Sequence, residues 1–148
     1  MEVLTYDNTP RFTFKNMTCK CKVLDIYDAD TITVAFYLDN FNYTKINVRL
    51  LGIDTPELRG SEKELGIKAR NYLIKILTDV IIDKDYSRNE IRDLIFNKNN
   101  NIVDILFDDF DKYGRPLGTI YKNNININEI LIIEGYAKKY DGGTKEKW

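Results

Sequence analysis

The sequence predicts an α+β, mainly β fold: a small five-stranded barrel carrying two to three helices. Three observations lead there. The chain has 148 residues, the size of one domain. Hydrophobic residues make up 43% and charged residues 30%, a globular balance that excludes disorder and collagen-like repeats. The apolar pattern alternates at period two over three consecutive stretches before it first turns helical.

Each element follows from local pattern. In residues 18–27, Cys19, Cys21 and Val23 alternate with Lys20 and Lys22, then the phase slips to Leu24 and Ile26, so a long bulged strand is expected. Residues 31–38 are rich in β-branched and aromatic side chains, a polar turn is read at Asp39 and Asn40, and residues 43–53 give a third strand. Short links make the three an antiparallel meander. Ser61 with Glu64 three positions on reads as a capping box, with Leu65, Ala69, Tyr72, Leu73 and Ile76 on one helical face. Ser87 with Glu90 repeats that signal ahead of Ile91, Leu94 and Ile95, in a short helix ending in the polar run 97–101. Residues 83–101 are read as an inserted, surface-facing segment. Strands are expected at 102–107 and 117–121, joined by an acidic loop over 108–116, and a last helix starts at Asn126 and stops at Gly135. Five short strands with a helix between the third and fourth match an OB-type barrel, an architecture that commonly binds oligonucleotides. The division expected is an N-terminal extension over 1–17 and one OB-fold domain over 18–148.

Composition narrows the chemistry. The chain has no histidine, which removes imidazole bases, Ser/His or Cys/His triads and His-ligated zinc. Carboxylates, Arg, Lys, Tyr or Cys remain. Cys19 and Cys21 are two apart in a strand, a spacing ill suited to a mutual disulfide and two ligands short of a zinc site, so buried thiols are the plain reading. With 22 basic and 23 acidic residues the net charge is −1, so phosphate binding must be local. No apolar run approaches the ~20 residues that span a bilayer, and residues 1–10 lack the pattern of a signal peptide. An intracellular protein free of the membrane is expected, with its oligomeric state open.

Three clusters carry candidate function. Asp30 shares the phase of Ile32, Val34 and Phe36, where a carboxylate is costly unless a cation or donors compensate it; alternatively Asp28 and Asp30 form a polar turn ahead of Thr31. In RLLGIDTPE, residues 49–57, Pro56 biases Thr55 to an extended backbone, which presents the Thr55 carbonyl beside the Asp54 carboxylate. Arg49 and Asp54 have odd spacing, so sharing one site requires a kink near Gly52; taken alone, DTP is an ordinary loop start. In DKYGR, residues 111–115, Gly114 permits a tight turn that crowds Lys112, Tyr113 and Arg115 onto one tip, suited to phosphate and base or equally to a solvated hairpin.

Together Asp28, Ala29, Asp30 and Thr31, then RLLGIDTPE, then DKYGR, then Asn128, Glu129 and Gly135 in NEILIIEGYA resemble the staphylococcal nuclease (thermonuclease) family, over roughly residues 18–140. The resemblance implies that Asp30, Asp54 and the Thr55 carbonyl bind Ca²⁺, with Mg²⁺ or Mn²⁺ as alternatives. It further implies that Glu57 is the general base or orients the water, and that Arg49 and Arg115 grip the scissile phosphate. Lys112 and Tyr113 match positions holding a neighbouring phosphate, Asp28 matches a carboxylate behind the metal ligands, and Tyr140 lies near the family's base-stacking tyrosines. The implied activity is a calcium-dependent endonuclease acting on single- or double-stranded DNA, RNA or both and leaving 3′-phosphate ends. The residue chemistry agrees: four carboxylates in one place repel a phosphodiester until a hard divalent cation reverses the local sign. The competing expectation is a non-catalytic OB module that binds nucleic acid or protein. Ala29 stands where the family has glycine, which predicts strain if that position needs a positive φ. The chain also reaches Trp148 without the family's long third helix.

Overall fold

The computed structural model describes residues 2–39, 42–99 and 101–148. The elements in chain order are β1 (Thr18–Asp28), β2 (Thr31–Asp39), β3 (Asn42–Leu50), β4 (Ile53–Asp54), α1 (Lys63–Thr78), α2 (Arg88–Phe96), β5 (Ile102–Phe110), β6 (Pro116–Lys122), β7 (Ile125–Asn126), α3 (Ile127–Ile133) and β8 (Lys138–Lys139). The expected meander is present, β1 and β3 both pairing antiparallel with β2. β5 adds to the other side of β1 and β6 to β5, and β6 then runs parallel to the end of β3 through Arg49↔Leu117 and Leu50↔Gly118. That last pairing closes a five-stranded barrel with three helices around it.

The phase slip in β1 is a real bulge, with a register shift between Val23 and Asp25. It lets Val23 and Ile26 both reach the core despite their odd spacing. Inward residues of the meander, Ile32, Val34, Phe36, Val48 and Leu50, pack against Leu73, Ile74 and Leu77 of α1. Phe14, ahead of β1, is also buried, its ring edge-on to Phe36 at 5.7 Å between centroids.

Several expectations are corrected. The third strand stops at Leu50 rather than 53, because Gly52 at φ +78 turns the chain and starts the separate β4, which pairs with β8. Strands β5 and β6 extend to Phe110 and Pro116, which pair, so the connecting loop shrinks to residues 111–115. Ser61 forms no capping box: one turn of 3₁₀ helix over Gly60–Glu62 precedes α1, whose N-cap is Glu62 with no side-chain cap bond. That offset rotates the buried face onto Gly66, Ala69, Leu73, Ile74 and Leu77 and leaves Leu65 exposed. The Ser87–Glu90 capping box does form, with both reciprocal bonds. Segment 83–101 is not surface-facing throughout: Ile91 and Ile95 enter the main core, each burial contributing ~1.5–3 kcal/mol, and Asn101 donates to the Val23 carbonyl. The turn read at Asp39 and Asn40, and the run 97–101, each include a residue, Asn40 and Asn100, outside those described. Among the described residues no helix is long and apolar enough to cross a membrane.

Candidate active site

The site is assembled at one end of the barrel, where the β1–β2 turn, the chain after β3 and the β5–β6 loop meet. Asp30 does not follow the inward phase of β2. It sits in the turn between β1 and β2, held by its amide bond to Asp28 Oδ1 at 3.1 Å, and its side chain remains largely buried at 13% exposure. Oδ1 accepts from the Thr31 hydroxyl and Oδ2 from the Thr55 hydroxyl, both at 3.1 Å. Arg49 Nη2 lies 3.5 Å from the same Oδ2. Ala29 is buried without a positive φ, so the expected strain at this position is absent.

The required kink is supplied by Gly52, and it brings Arg49 and Asp54 to the same region. The Arg49 guanidinium is buried and donates to the carbonyls of Leu50 at 3.1 Å, Ile53 at 2.9 Å and Asp30 at 3.4 Å. Arg49 therefore pins the turn from inside rather than reaching outward. Asn128 of α3 completes the brace: its Nδ2 donates to the Leu51 and Gly118 carbonyls, and its Oδ1 accepts from the Ile120 amide.

Asp54 and Thr55 are both buried. Asp54 Oδ1 takes no aligned hydrogen bond, and the Lys145 ammonium stands 3.3 Å from it. A buried anionic oxygen with a cation beside it and no fixed donor fits a divalent ion by the chemistry of its ligands. Asp30 is linked to the Asp54–Thr55 segment by the Thr55 hydroxyl, which donates to Asp30 Oδ2. Among the described residues no preformed group of three metal-ligating side chains is present. Glu57 lies outward, its side chain 56% exposed and Oε1 4.0 Å from Lys145 Nζ, while its amide donates to Glu62 Oε2.

In the 111–115 loop, Gly114 at φ +83 closes the turn. Asp111 organises it, accepting from the amides of Tyr113 and Arg115 through Oδ1 and from Arg115 Nε through Oδ2 at 2.8 Å. Burial works against the Asp111 charge, but these donors outweigh it and hold the carboxyl below its usual range. The clamp aims Arg115 at the turn, where its Nη1 lies 3.4 Å from the Thr31 hydroxyl. Lys112 and Arg115 flank the exposed Tyr113 ring, at 5.2 and 5.5 Å from its centroid. Arg49, Lys112, Tyr113, Arg115, Tyr140 and Lys145 all line one cleft of about 360 Å³.

The charges are unequal. Burial, then the hydrogen bond and negative charge of Asp30, push Asp28 up to about 7. For Asp30 burial acts upward too, but Asp28, the Arg49 charge and the hydroxyls of Thr31 and Thr55 overcome it and hold Asp30 below the carboxylate range. One proton is thus held mainly by Asp28, leaving Asp30 the anion. Partial burial disfavours the Lys145 ammonium, yet Asp54 outweighs this and its pKa is raised.

Sequence reasoning missed two residues. Asp111 was legible as an acidic partner four positions before Arg115 across a glycine turn. Lys145 had no signal, lying in the polar stretch TKEK. The thiols are unbridged as expected, but only Cys21 is fully buried while Cys19 is half-buried; burial raises the pKa of both.

Comparison with known proteins supplies the remaining observation. A family model described as "Staphylococcal nuclease homologue" matches residues 47–147. An uncharacterized protein of Methanocaldococcus jannaschii is 32% identical over 146 residues, covering 92% of this chain and 66% of its own. An uncharacterized protein of Bacillus anthracis is 33% identical over 123 residues, 81% of this chain and 47% of its own. A probable staphylococcal-like nuclease of Oryza sativa subsp. japonica is 31% identical over 100 residues, 66% of this chain and 20% of its own. The chain spans less than two thirds of each of these relatives.

Proposed function

The chain belongs to the staphylococcal nuclease family, and on that footing we propose that it hydrolyses phosphodiester bonds of DNA, RNA or both, using a divalent cation, Ca²⁺ ahead of Mg²⁺ or Mn²⁺. The observation that carries the reading is the buried carboxylate atom Asp54 Oδ1, which takes no aligned hydrogen bond and meets Lys145 at 3.3 Å, Lys145 in turn lining one cleft with the guanidinium groups of Arg49 and Arg115. Asp30, Asp54 and the Thr55 carbonyl would hold the cation, which when bound supplies the positive charge that lets a phosphate approach these carboxylates. Arg115, held by Asp111, offers its free donors to the phosphate oxygens as charge develops on them. Arg49 adds a fixed positive charge beneath them. Glu57 takes the proton of the attacking water as the new P–O bond forms. The bond to the 5′ oxygen then breaks and that oxygen takes a proton from solvent, giving a 3′-phosphate and a 5′-hydroxyl.

One observation favours the binding-module reading instead: Lys145 already balances Asp54, and Arg49 spends its donors on the protein. Incubation with single- and double-stranded DNA and RNA, in Ca²⁺ or chelator, separates the two. Cleavage is expected in Ca²⁺ alone, with Glu57→Gln and Arg115→Ala slowed by roughly 10²-fold or more. No cleavage by the wild type with any divalent ion gives the module reading the field, and variants as fast as wild type show that the residues are assigned wrongly.

A further inference from the structure

A second concavity, of about 730 Å³, begins where the cleft ends, and Arg115 lines both. Its floor is the outer face of β1, β2 and β3, where Thr33 is paired to Asn47 by a 2.7 Å hydrogen bond. Its wall is α2. The Asp25 carboxylate on β1, 7% exposed, accepts from two α2 arginines through one oxygen: Arg88 Nη2 at 2.5 Å and Arg92 Nε at 3.0 Å. The other oxygen, Oδ1, is buried without a partner. Two guanidinium groups on one carboxylate leave a net positive charge on the wall, and two like charges so close are relieved by an arriving anion. Lys45 adds a third cation across the floor. Asp28 also borders the groove, but with Arg115 at the same end the cations outnumber the anions.

Flat surfaces accompany the charge. The Tyr27 ring is 56% exposed and carries the Arg88 guanidinium 4.8 Å from its centroid. Farther out on the same face of the β2–β3 hairpin, Tyr37 and Tyr43 pair edge-on at 5.2 Å and are both exposed. Alternating cations and exposed rings along a groove are the chemistry of a nucleic-acid strand, whose phosphates repeat and whose bases stack. The outer face of the second and third strands is also where barrels of this architecture take up oligonucleotides. An acidic peptide would match the charge but leave the rings unused.

We propose that α2 and the outer face of β1–β3 form a second binding segment for a single polynucleotide strand, continuous with the cleft at Arg115, in which Arg88, Arg92 and Lys45 take phosphates and Tyr27 stacks a base. The inference rests on the hydrolytic reading for what lies at the cleft end, but strand binding in the groove is measurable without cleavage. Arg88 also donates to the Ile26 carbonyl, so its loss endangers the fold; Arg92, with a side chain 55% exposed, and Lys45 are the safer sites.

The experiment is fluorescence anisotropy of a labelled single-stranded oligonucleotide of about 12 nucleotides, as DNA and as RNA, in chelator over a range of salt. It compares wild type, Arg92→Gln/Lys45→Gln, and Lys68→Gln/Lys75→Gln, which removes two charges from the exposed face of α1. The groove variant is expected to bind roughly tenfold more weakly, with a salt slope lower by about 1.4 for two lost single-strand phosphate contacts. The α1 variant is expected to stay near wild type. The proposal is overturned if wild type does not bind, if both double variants lose affinity equally, or if a poly-glutamate peptide binds as tightly as the oligonucleotide with the same dependence on Arg92 and Lys45. A strand that binds through these residues yet is not cut when Ca²⁺, Mg²⁺ or Mn²⁺ is added supports the groove and removes the hydrolytic reading. Cutting with no dependence on them removes the groove alone.

Discussion

On the proposed reading Lys145 and a divalent cation would compete for the same carboxylate, since the ammonium lies 3.3 Å from Asp54 Oδ1. Removing the ammonium leaves that buried oxygen with nothing to balance it, so Lys145→Ala is expected to bind Ca²⁺ several-fold more tightly. The check is the rise in melting temperature with added Ca²⁺, which reports affinity by mass action; an unchanged or weaker response refutes the competition. Asp28 gives a second test. Its pKa rises from 3.8 in the unfolded chain to about 7 in the folded one, so between those values the folded state holds more protons. Its stability contribution is therefore present in acid and lost as pH rises through about 7. Asp30 has the opposite sign, since its lowered pKa matters only in more acidic solution. Unfolding in chelator should show Asp28→Asn gaining on wild type as pH climbs across that window; parallel curves contradict the assignment. At this scale the sequence named Asp30, Asp54, Arg49 and Arg115 from their motifs. It left Asp30 open between an inward strand position and a polar turn, because period-two alternation cannot tell where a strand begins, and the turn is what forms. Lys145 was hidden, because what makes it matter is a contact across 91 positions of chain, from 145 to 54.

At the scale of elements, α1 holds the Glu57 loop in place by close approach. A Cβ on Gly66 would stand 2.9 Å from the Pro56 carbonyl oxygen and nearer still to that of Glu57. Gly66→Ala is expected to cost ~1–3 kcal/mol despite the better helix propensity of alanine, and to shift the loop bearing Glu57. Chemical denaturation and cleavage rate measured together test this: lower stability and slower cleavage are expected, and a stabilised, fully active variant would show that the loop is not set by this contact. The helix was legible from its apolar spacing, but its start was not. Ser61 and Glu64 match a capping box in letters, and the 3₁₀ turn at Gly60–Glu62 shifts the helix past it. In α2 the same letters formed the box in full, because Ser87 itself has the extended backbone an N-cap requires.

For the molecule as a whole, barrel closure makes the site. The parallel contact of β3 with β6 sets Arg49 opposite Leu117, and only then does the 111–115 loop reach the turn at Asp30. Five strands and their order were legible, because each carries its own alternation. The closing pair was not, since two rungs of backbone pairing leave no periodic mark. A net charge of −1 is consistent with a protein whose phosphate affinity is concentrated in a cleft and a groove rather than spread over its surface. On the proposed reading carboxylates, guanidinium groups and a divalent cation act together to cut a phosphodiester. The most direct measurement is the single-turnover cleavage rate of an end-labelled oligonucleotide against divalent-ion concentration. A rate that is zero in chelator and saturates with Ca²⁺, Mg²⁺ or Mn²⁺ is expected; no cleavage with any of them, or equal cleavage in chelator, refutes metal-dependent hydrolysis at this site.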